Sequence, residues 1–345
     1  MGFLQLELTL GMKWRLLLSL VLIAITVLGL LLFVHIINYN FRTTAPLPDY
    51  MDDFITADNG DIPSALHLTR FYNKAPVKPT GNLCWLECVS LLSMLLYIKP
   101  NHVYVHTNYP DFWPFDSCYS LIATNWTNFK MIHRRRRFVI GGNAINPNND
   151  EFIAHEADIT KLTVLHECGG IVSDLDVFYL PNIQKLLSRF RDGFDCIASR
   201  ELIRDVYKMN LGFLACHKNS PYVRAVLQNY KEDYKTNDWV YNSGEHPWNL
   251  YSANPLFRKT VYVDDQISNH PSWTNVKTFL NKKSGMPWKH KPAFHSFFHD
   301  CTYNLANVHK QDTSFALMIS FILTDAIKIH YDLTRGKPEL NLAVG

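Results

Sequence analysis

Between Gly169 and Leu180 the chain reads GGIVSDLDVFYL, which places two carboxylates, Asp174 and Asp176, in an otherwise apolar run. Ile171, Val172, Val177, Phe178 and Leu180 give the stretch the composition of a buried strand. Residues i and i+2 of a strand point to one side. Two acids so placed repel each other, and burying an unpaired carboxylate is costly. A cation beside them relieves both penalties. After a glycine turn and at a strand end, the pair offers hard oxygen ligands that suit Mn2+ or Mg2+, ions that can in turn bridge to phosphate oxygens. D-x-D by itself is common on surfaces, so the weight lies in its apolar setting. Upstream, Asp158 and Lys161 are spaced i, i+3 and share one face of a predicted helix. Lys161 would either contact a phosphate or pair with Asp158, and the spacing leaves both open.

The other constraint lies at the start of the chain. Leu16–Val34 (LLLSLVLIAITVLGLLLFV) is 19 residues without a charge, long enough to approach the roughly 30 Å hydrocarbon core of a bilayer. Lys13 and Arg15 precede it, and Arg42, Asp49, Asp52 and Asp53 follow. The run exceeds a signal-peptide core and has no A-x-A site. It is therefore expected to be an uncleaved anchor, with the positive end cytosolic and the rest of the chain lumenal. All seven cysteines lie beyond it, as suits an oxidising compartment, although their pairing is not readable. C-x3-C at Cys84 and Cys88 has no matching pair, which argues against zinc. Asn125 heads an N-W-T glycosylation acceptor. The net charge of +3 is too small to argue for a nucleic-acid partner.

Along the chain, Leu83–Ile98 has helical apolar spacing, and His102–Thr107 (HVYVHT) reads as a strand. A helix over 152–167, a glycine stop and a short strand follow, then a helix from Asn182 and a strand at DCIAS. Ser220 before Pro221 is an N-cap followed by proline at the first helical position. This is α/β organisation. Residues 237–275 read as loop-dominated, with TVYVDD as a strand. Phe315–Tyr331 reads as a core or membrane-proximal helix, and HRRRRF (His133–Phe138) as a solvated basic loop or a patch facing anionic lipid or acidic glycans.

The segment HEADITKLTVLHECGGIVSDLDV (155–177) is similar to the DxD-containing sugar-binding region of the α-1,4-galactosyltransferase and α-1,4-N-acetylglucosaminyltransferase family. That family's pattern runs S-D-x-x-R, a variable stretch, then G-G-x-Y-x-D-x-D. Asp158 matches the first acid, Lys161 the arginine, Gly169 and Gly170 the glycine pair, and Asp174 and Asp176 the DxD. The resemblance implies a GT-A type nucleotide-sugar-binding α/β fold with a mixed central sheet, preceded by a single transmembrane helix. It implies a retaining, Mn2+-dependent (or Mg2+-dependent) Golgi type II membrane enzyme. The donor would be UDP-galactose, UDP-GalNAc or UDP-GlcNAc, and the acceptor a glycosphingolipid such as lactosylceramide or another glycan. Partners would be that donor and acceptor, the membrane, and copies of itself or other Golgi transferases. On this resemblance Asp158 meets ribose or sugar hydroxyls, Lys161 stands near the donor's sugar and phosphates, and Asp174 and Asp176 form the metal site.

Weaker matches extend the site. MNLGFLACHKNSPYV resembles the family's N-x-x-F/M segment and makes Asn210 a sugar-facing candidate. YNSGEHPWNL resembles its G-P-containing loop through Gly244, with Glu245 in place of proline. Trp239 and Trp248 would stack on uracil or an acceptor sugar, or fill the core. PAFHSFFHD resembles the C-terminal histidine segment, and spacing does not decide between His295 and His299. Lys161 for arginine, Val172 for tyrosine, and His155 and Glu156 for small residues are departures. Lys161, Val172 and Glu245 keep an inactive glycan-binding or escort relative in view, and D-x-D would also serve a metal-dependent phosphoryl or nucleotidyl transferase. The expected division is a tail at 1–15, an anchor at 16–37, a stem and domain edge at 38–80, and a catalytic domain at 81–345.

Overall fold

The computed structural model describes residues 60–334, apart from 79, 120, 123–127, 147–149, 204, 269–287, 298–303 and 311. The expected anchor, Asn125, His299 and Cys301 therefore lie outside the described residues. No helix among the described residues is long and apolar enough to cross a membrane.

In chain order the elements begin with β1 (Ala65–Thr69) and α1 (Trp85–Ser93), which runs on through a π turn to Ile98. β2 (His102–Thr107), β3 (Phe129–His133), the short hairpin β4 (Val139–Ile140) and β5 (Asn143–Ala144), α2 (Asp150–Cys168), β6 (Gly170–Ser173) and β7 (Val177–Tyr179) follow. Next are α3 (Ile183–Leu187), β8 (Cys196–Ile203), β9 (Val206–Cys216), α4 (Pro221–Glu232), α5 (His246–Ala253), α6 (Pro255–Thr260) and β10 (Val261–Asp264). β11 (Ala293–His295), α7 (Leu305–Lys310) and α8 (Ser314–Thr334) complete the described residues. Seven strands form one sheet in the order β10-β8-β9-β6-β1-β2-β3. β6, β1, β2 and β3 pair in parallel, as do β10 and β8, while β9 runs antiparallel to both β6 and β8. The fold is α/β with a mixed central sheet. β7 and β11 form a separate antiparallel pair.

Alternate side chains of the central strands enter two cores, which is the period-2 rule of a sheet covered on both faces. Ile171, Phe213 and Ala215 join α1 and α8 on one side through Leu86, Val89, Phe315 and Ile319. Val172, Leu214 and Cys216 join α2 and α4 on the other through Leu162, Leu165, Val223 and Val226. Helix on sheet on helix is a stable layering because each element buries its apolar face. Cys196 and Cys216 face each other across β8 and β9 and are disulfide-bonded, as are Cys88 and Cys118.

Three readings of the sequence need correction. Residues 38–80 read as stem and domain edge, yet β1 is an inner strand of the sheet, between β6 and β2. Its five residues are flanked by Pro- and Asn-rich sequence that masked them. Residues 237–275 read as loop, yet they contain α5 and α6, each with proline in its first turn. Proline there starts a helix rather than breaking one. HRRRRF is not simply solvated. Arg134 donates from Nε to His106 Nδ1 (3.1 Å), and Arg136 pairs with buried Glu156, which also accepts from the Arg137 amide.

His106 sits in a chain of rings. Its Nδ1 accepts from Arg134, its Nε2 lies 3.1 Å from His67 Nδ1, and His67 Nε2 lies 3.1 Å from the Gly169 carbonyl. Burial, then His67 and Arg134, hold His106 well below the ordinary histidine range. A histidine kept neutral when folded contributes stability that is full above its unfolded pKa and is lost as pH falls below about 6.5. Removing it as H106Q is expected to flatten the acid limb of the stability curve by up to about 1.4 kcal/mol per pH unit between pH 6 and 5. Urea unfolding of both proteins at pH 7, 6 and 5 checks this, and parallel curves would dismiss it.

Candidate functional site

β6 ends at Ser173, and Asp174, Leu175 and Asp176 form the turn into β7. The acids are thus not on a regular strand. The Asp174 amide donates to the Gly212 carbonyl (2.9 Å), and the Ser296 amide and hydroxyl donate to the Asp176 carbonyl (2.9 and 3.0 Å). Backbone therefore fixes both carboxylates from two sides. Pairing of β7 with β11 sets Val177 opposite His295, which brings the imidazole to the acid pair.

Asp174, Asp176 and His295 each offer a ligand atom, and these atoms lie within 4.8 Å of one another. His295 Nε2 is 3.2 Å from Asp176 Oδ2, with both side chains almost fully buried. Burial works against charging His295, but Asp176, Asp174 and Glu201 together outweigh it and raise the imidazole above its ordinary range. Two carboxylates and one imidazole are a donor set that a divalent first-row cation accepts. The residues fit such an ion, which Asp174, Asp176 and His295 would hold. Of the two histidines the sequence left undecided, His295 reaches the acids.

Lys161 resolves the other open question. Its ammonium lies 2.6 Å from Asp174 Oδ1, 3.3 Å from Asp158 Oδ1 and 3.2 Å from the Leu211 carbonyl. An ammonium has three donors, so these three acceptors use them all. Burial opposes its charge, yet Asp174 and Asp158 raise its pKa. Lys161 therefore orients Asp174, and its placement behind that acid is on the side of the site the resemblance gives to the donor's sugar and phosphates. Asp158, expected against ribose or sugar hydroxyls, is 3% exposed. It accepts from Lys161 and from Trp239 Nε1 (2.8 Å). Burial raises its pKa against the pull of Lys161. It is a support beneath the site.

An irregularity in β9 builds the opposite wall. Ala198 pairs with Leu214, but the next residue, Ser199, pairs with Asn210, so Leu211–Phe213 bulge out of register. Bulges re-aim side chains beside functional sites. This one supplies the Leu211 carbonyl to Lys161, the Gly212 carbonyl to Asp174, and the Asn210 side chain to His295 Nδ1 (3.1 Å). A Cβ on Gly212 would lie 2.5 Å from His295 Cε1 and 2.7 Å from Asn210 Oδ1. Gly212→Ala is expected to push the imidazole off Asp176 and to cost about 10- to 100-fold in metal affinity with the fold retained. Circular dichroism with a Mn2+ titration checks it, and unchanged affinity would refute it.

The remaining candidates separate. Gly169 and Gly170 adopt φ +72° and +118°, and a Cβ on Gly170 would strike the Ala65 carbonyl and His67 at 2.8 Å. They make the turn from α2 into β6, about 13 Å of strand away from Asp174, and are not brought to the cluster. Gly244 packs against Lys208 and Met209 of β9. Nearby, Glu245 pairs with Lys208 at 2.5 Å. Trp239 is 50% exposed beside Asp158, while Trp248 packs with Tyr207, Tyr251 and Arg200. Val172 is core, and the Ser173 hydroxyl accepts from Tyr179 (2.8 Å). His155 is buried edge-on to Tyr234. Neither Glu201 nor Gly212 stands out in the sequence pattern. Glu201 is buried with Oε1 accepting from Asn210 Nδ2 (3.1 Å).

No family model matches the chain, and no curated protein matches it. Similar solved structures include the glycosyltransferase GlyE of Streptococcus pneumoniae TIGR4, 14% identical over 78% of this chain and 64% of that one, with a TM-score of 0.40. The galactosyltransferase LgtC, in complex with donor and acceptor sugar analogs, is 13% identical over 75% of this chain and 95% of that one, with a TM-score of 0.39. The bifunctional IspDF from Campylobacter jejuni is 11% identical over 63% and 53%, with a TM-score of 0.34. Likeness this distant carries no functional argument, so the chemistry rests on the side chains described above.

Proposed function

We propose that the chain is a glycosyltransferase of the GT-A type. It would move a hexose or N-acetylhexosamine from a UDP-sugar to a glycan with retention of anomeric configuration. The observation that carries this reading is the convergence of Asp174, Asp176 and His295, with Lys161 fixing Asp174 from behind. A bound Mn2+ or Mg2+ supplies neutralisation of the charge that develops on a departing diphosphate. Asp176 and His295 hold the buried side of that site, and Asp174, with 36% of its side chain exposed, forms its open side. Trp239 offers a half-exposed ring on which uracil or an acceptor sugar can stack. The attacking hydroxyl would pass its proton to the leaving phosphate oxygen in a front-face reaction, which needs no carboxylate nucleophile.

The finer assignments rest on the resemblance of residues 155–177. They are UDP-galactose, UDP-GalNAc or UDP-GlcNAc as donor, α-1,4 linkage, a lactosylceramide-like acceptor, and a Golgi membrane location with residues 16–37 as anchor. The test is UDP release by the full-length protein with MnCl2 and each of the three donors, with and without lactosylceramide. Release with one donor, raised by acceptor and abolished by EDTA, is expected. No release with any donor, from folded protein, would favour a glycan-binding relative without activity.

A further inference from the structure

The buried side of the cluster is held by a polar chain that runs from His295 through Asn210 to Glu201. Asn210 Oδ1 accepts from the Gly212 amide (2.8 Å) and faces His295 Nδ1 at 3.1 Å, while Nδ2 donates to Glu201 Oε1 at 3.1 Å. An amide side chain can be turned over, and its neighbours decide which way it lies. Burial pushes the Glu201 carboxyl up, but a carboxyl oxygen that carries no hydrogen accepts in either state, and Oε1 takes the NH2 group. The Gly212 amide only donates, so it demands the oxygen. With the oxygen toward His295, Nδ1 must carry the hydrogen.

A second chain agrees. Ser199 donates to the Asn210 and Phe213 carbonyls, Ser268 donates to Ser199, and Ser268 Oγ then accepts from His295 Nδ1 at 3.4 Å. Asp264 holds Ser268 in place by accepting from the Gln266 and Ile267 amides, both at 2.9 Å. Both neighbours of Nδ1 are acceptors, which leaves Nε2, the nitrogen facing Asp176, as the one whose lone pair a cation can take.

We infer that Glu201 is a positioning residue that fixes the tautomer of His295 through the Asn210 amide and so prepares Nε2 as a ligand. Resting on the metal reading above, this adds an outer partner 94 residues away in sequence from the histidine it governs. Partners that hold a ligand histidine's other nitrogen typically change metal affinity by about 10- to 100-fold when removed.

The test is Mn2+ binding by the full-length protein, followed by the loss of the free-ion signal in electron paramagnetic resonance, with MnCl2 alone and with UDP. Glu201→Leu, which cannot accept, is expected to weaken binding by about 10- to 100-fold. Glu201→Gln can still turn its oxygen to Asn210 and is expected to bind within about threefold of wild type. Equal binding by E201L and wild type, or equal loss in E201Q and E201L, would overturn the relay. Because E201L buries a leucine where a carboxylate sat, a second arm guards against misfolding. Asn210→Asp alone sets two carboxylates together and should weaken binding, and adding E201Q should restore it, since the glutamine can donate to Asp. Failure of that rescue counts against the relay. Wild-type protein that takes up no Mn2+ under either condition overturns the metal site itself, a result distinct from failure of the Glu201 variants alone.

Discussion

Asp176→Asn is expected to reduce metal-dependent UDP-sugar turnover by at least about 10^3-fold, the equivalent of about 4 kcal/mol in the barrier. Unfolding should change far less than turnover, because His295 can give up its proton once the buried charge beside it is gone. Asparagine preserves the shape of the side chain, and the backbone carbonyl of residue 176 keeps its bonds from Ser296. What is lost is the buried negative charge facing His295 Nε2. Asp174→Asn should cost less, because Asp174 is the more exposed acid and shares its charge with Lys161. Steady-state UDP release at saturating Mn2+, with thermal unfolding alongside, separates the two. Equal turnover by D176N and wild type would remove Asp176 from the metal site.

Lys161→Met should have the largest effect on stability. The ammonium is buried between Asp158 and Asp174 and caps the Leu211 carbonyl. Without it Asp158, 3% exposed, keeps the Trp239 N–H alone as partner to its charge among the described residues. Breaking a buried pair from one side typically costs about 3–5 kcal/mol, mostly because of the charge left behind. Adding Asp158→Asn should therefore recover part of the loss, and the double-mutant cycle in urea unfolding reads that coupling directly. Additive losses would mean that the two groups do not act as a pair.

Much of the frame was legible in the sequence because it depends on local period and punctuation. Helix α2, the glycine turn after it and β6 follow from apolar spacing and from Gly169 and Gly170, whose positive φ suits glycine. The cap at Ser220 with Pro221 was also local, and the Ser220 hydroxyl does accept from the Val223 amide. The acid pair stood out because carboxylates in an apolar run need a partner.

What escaped depends on contacts between distant segments. The bulge that inserts Leu211–Phe213 leaves no mark on the pattern of β9, yet it supplies two carbonyls and the Gly212 approach to His295. Glu201 reads as one charge in a strand, and its link to His295 passes through Asn210. Lys161 has the same spacing to Asp158 in either role, and only the placement of Asp174 shows that all its donors are taken. The glycine pair was assigned to the donor site because a motif places residues in order along the chain. The strand between Gly170 and Asp174 carries the two ends of that motif apart.

The most direct test is diffraction from crystals grown with MnCl2 and UDP, with data collected at the manganese absorption edge. The expected result is an anomalous peak bounded by carboxylate oxygens of Asp174 and Asp176 and by His295 Nε2, with the diphosphate on the side of Asp174. UDP bound in clear density with no anomalous peak among those three residues would contradict the proposal.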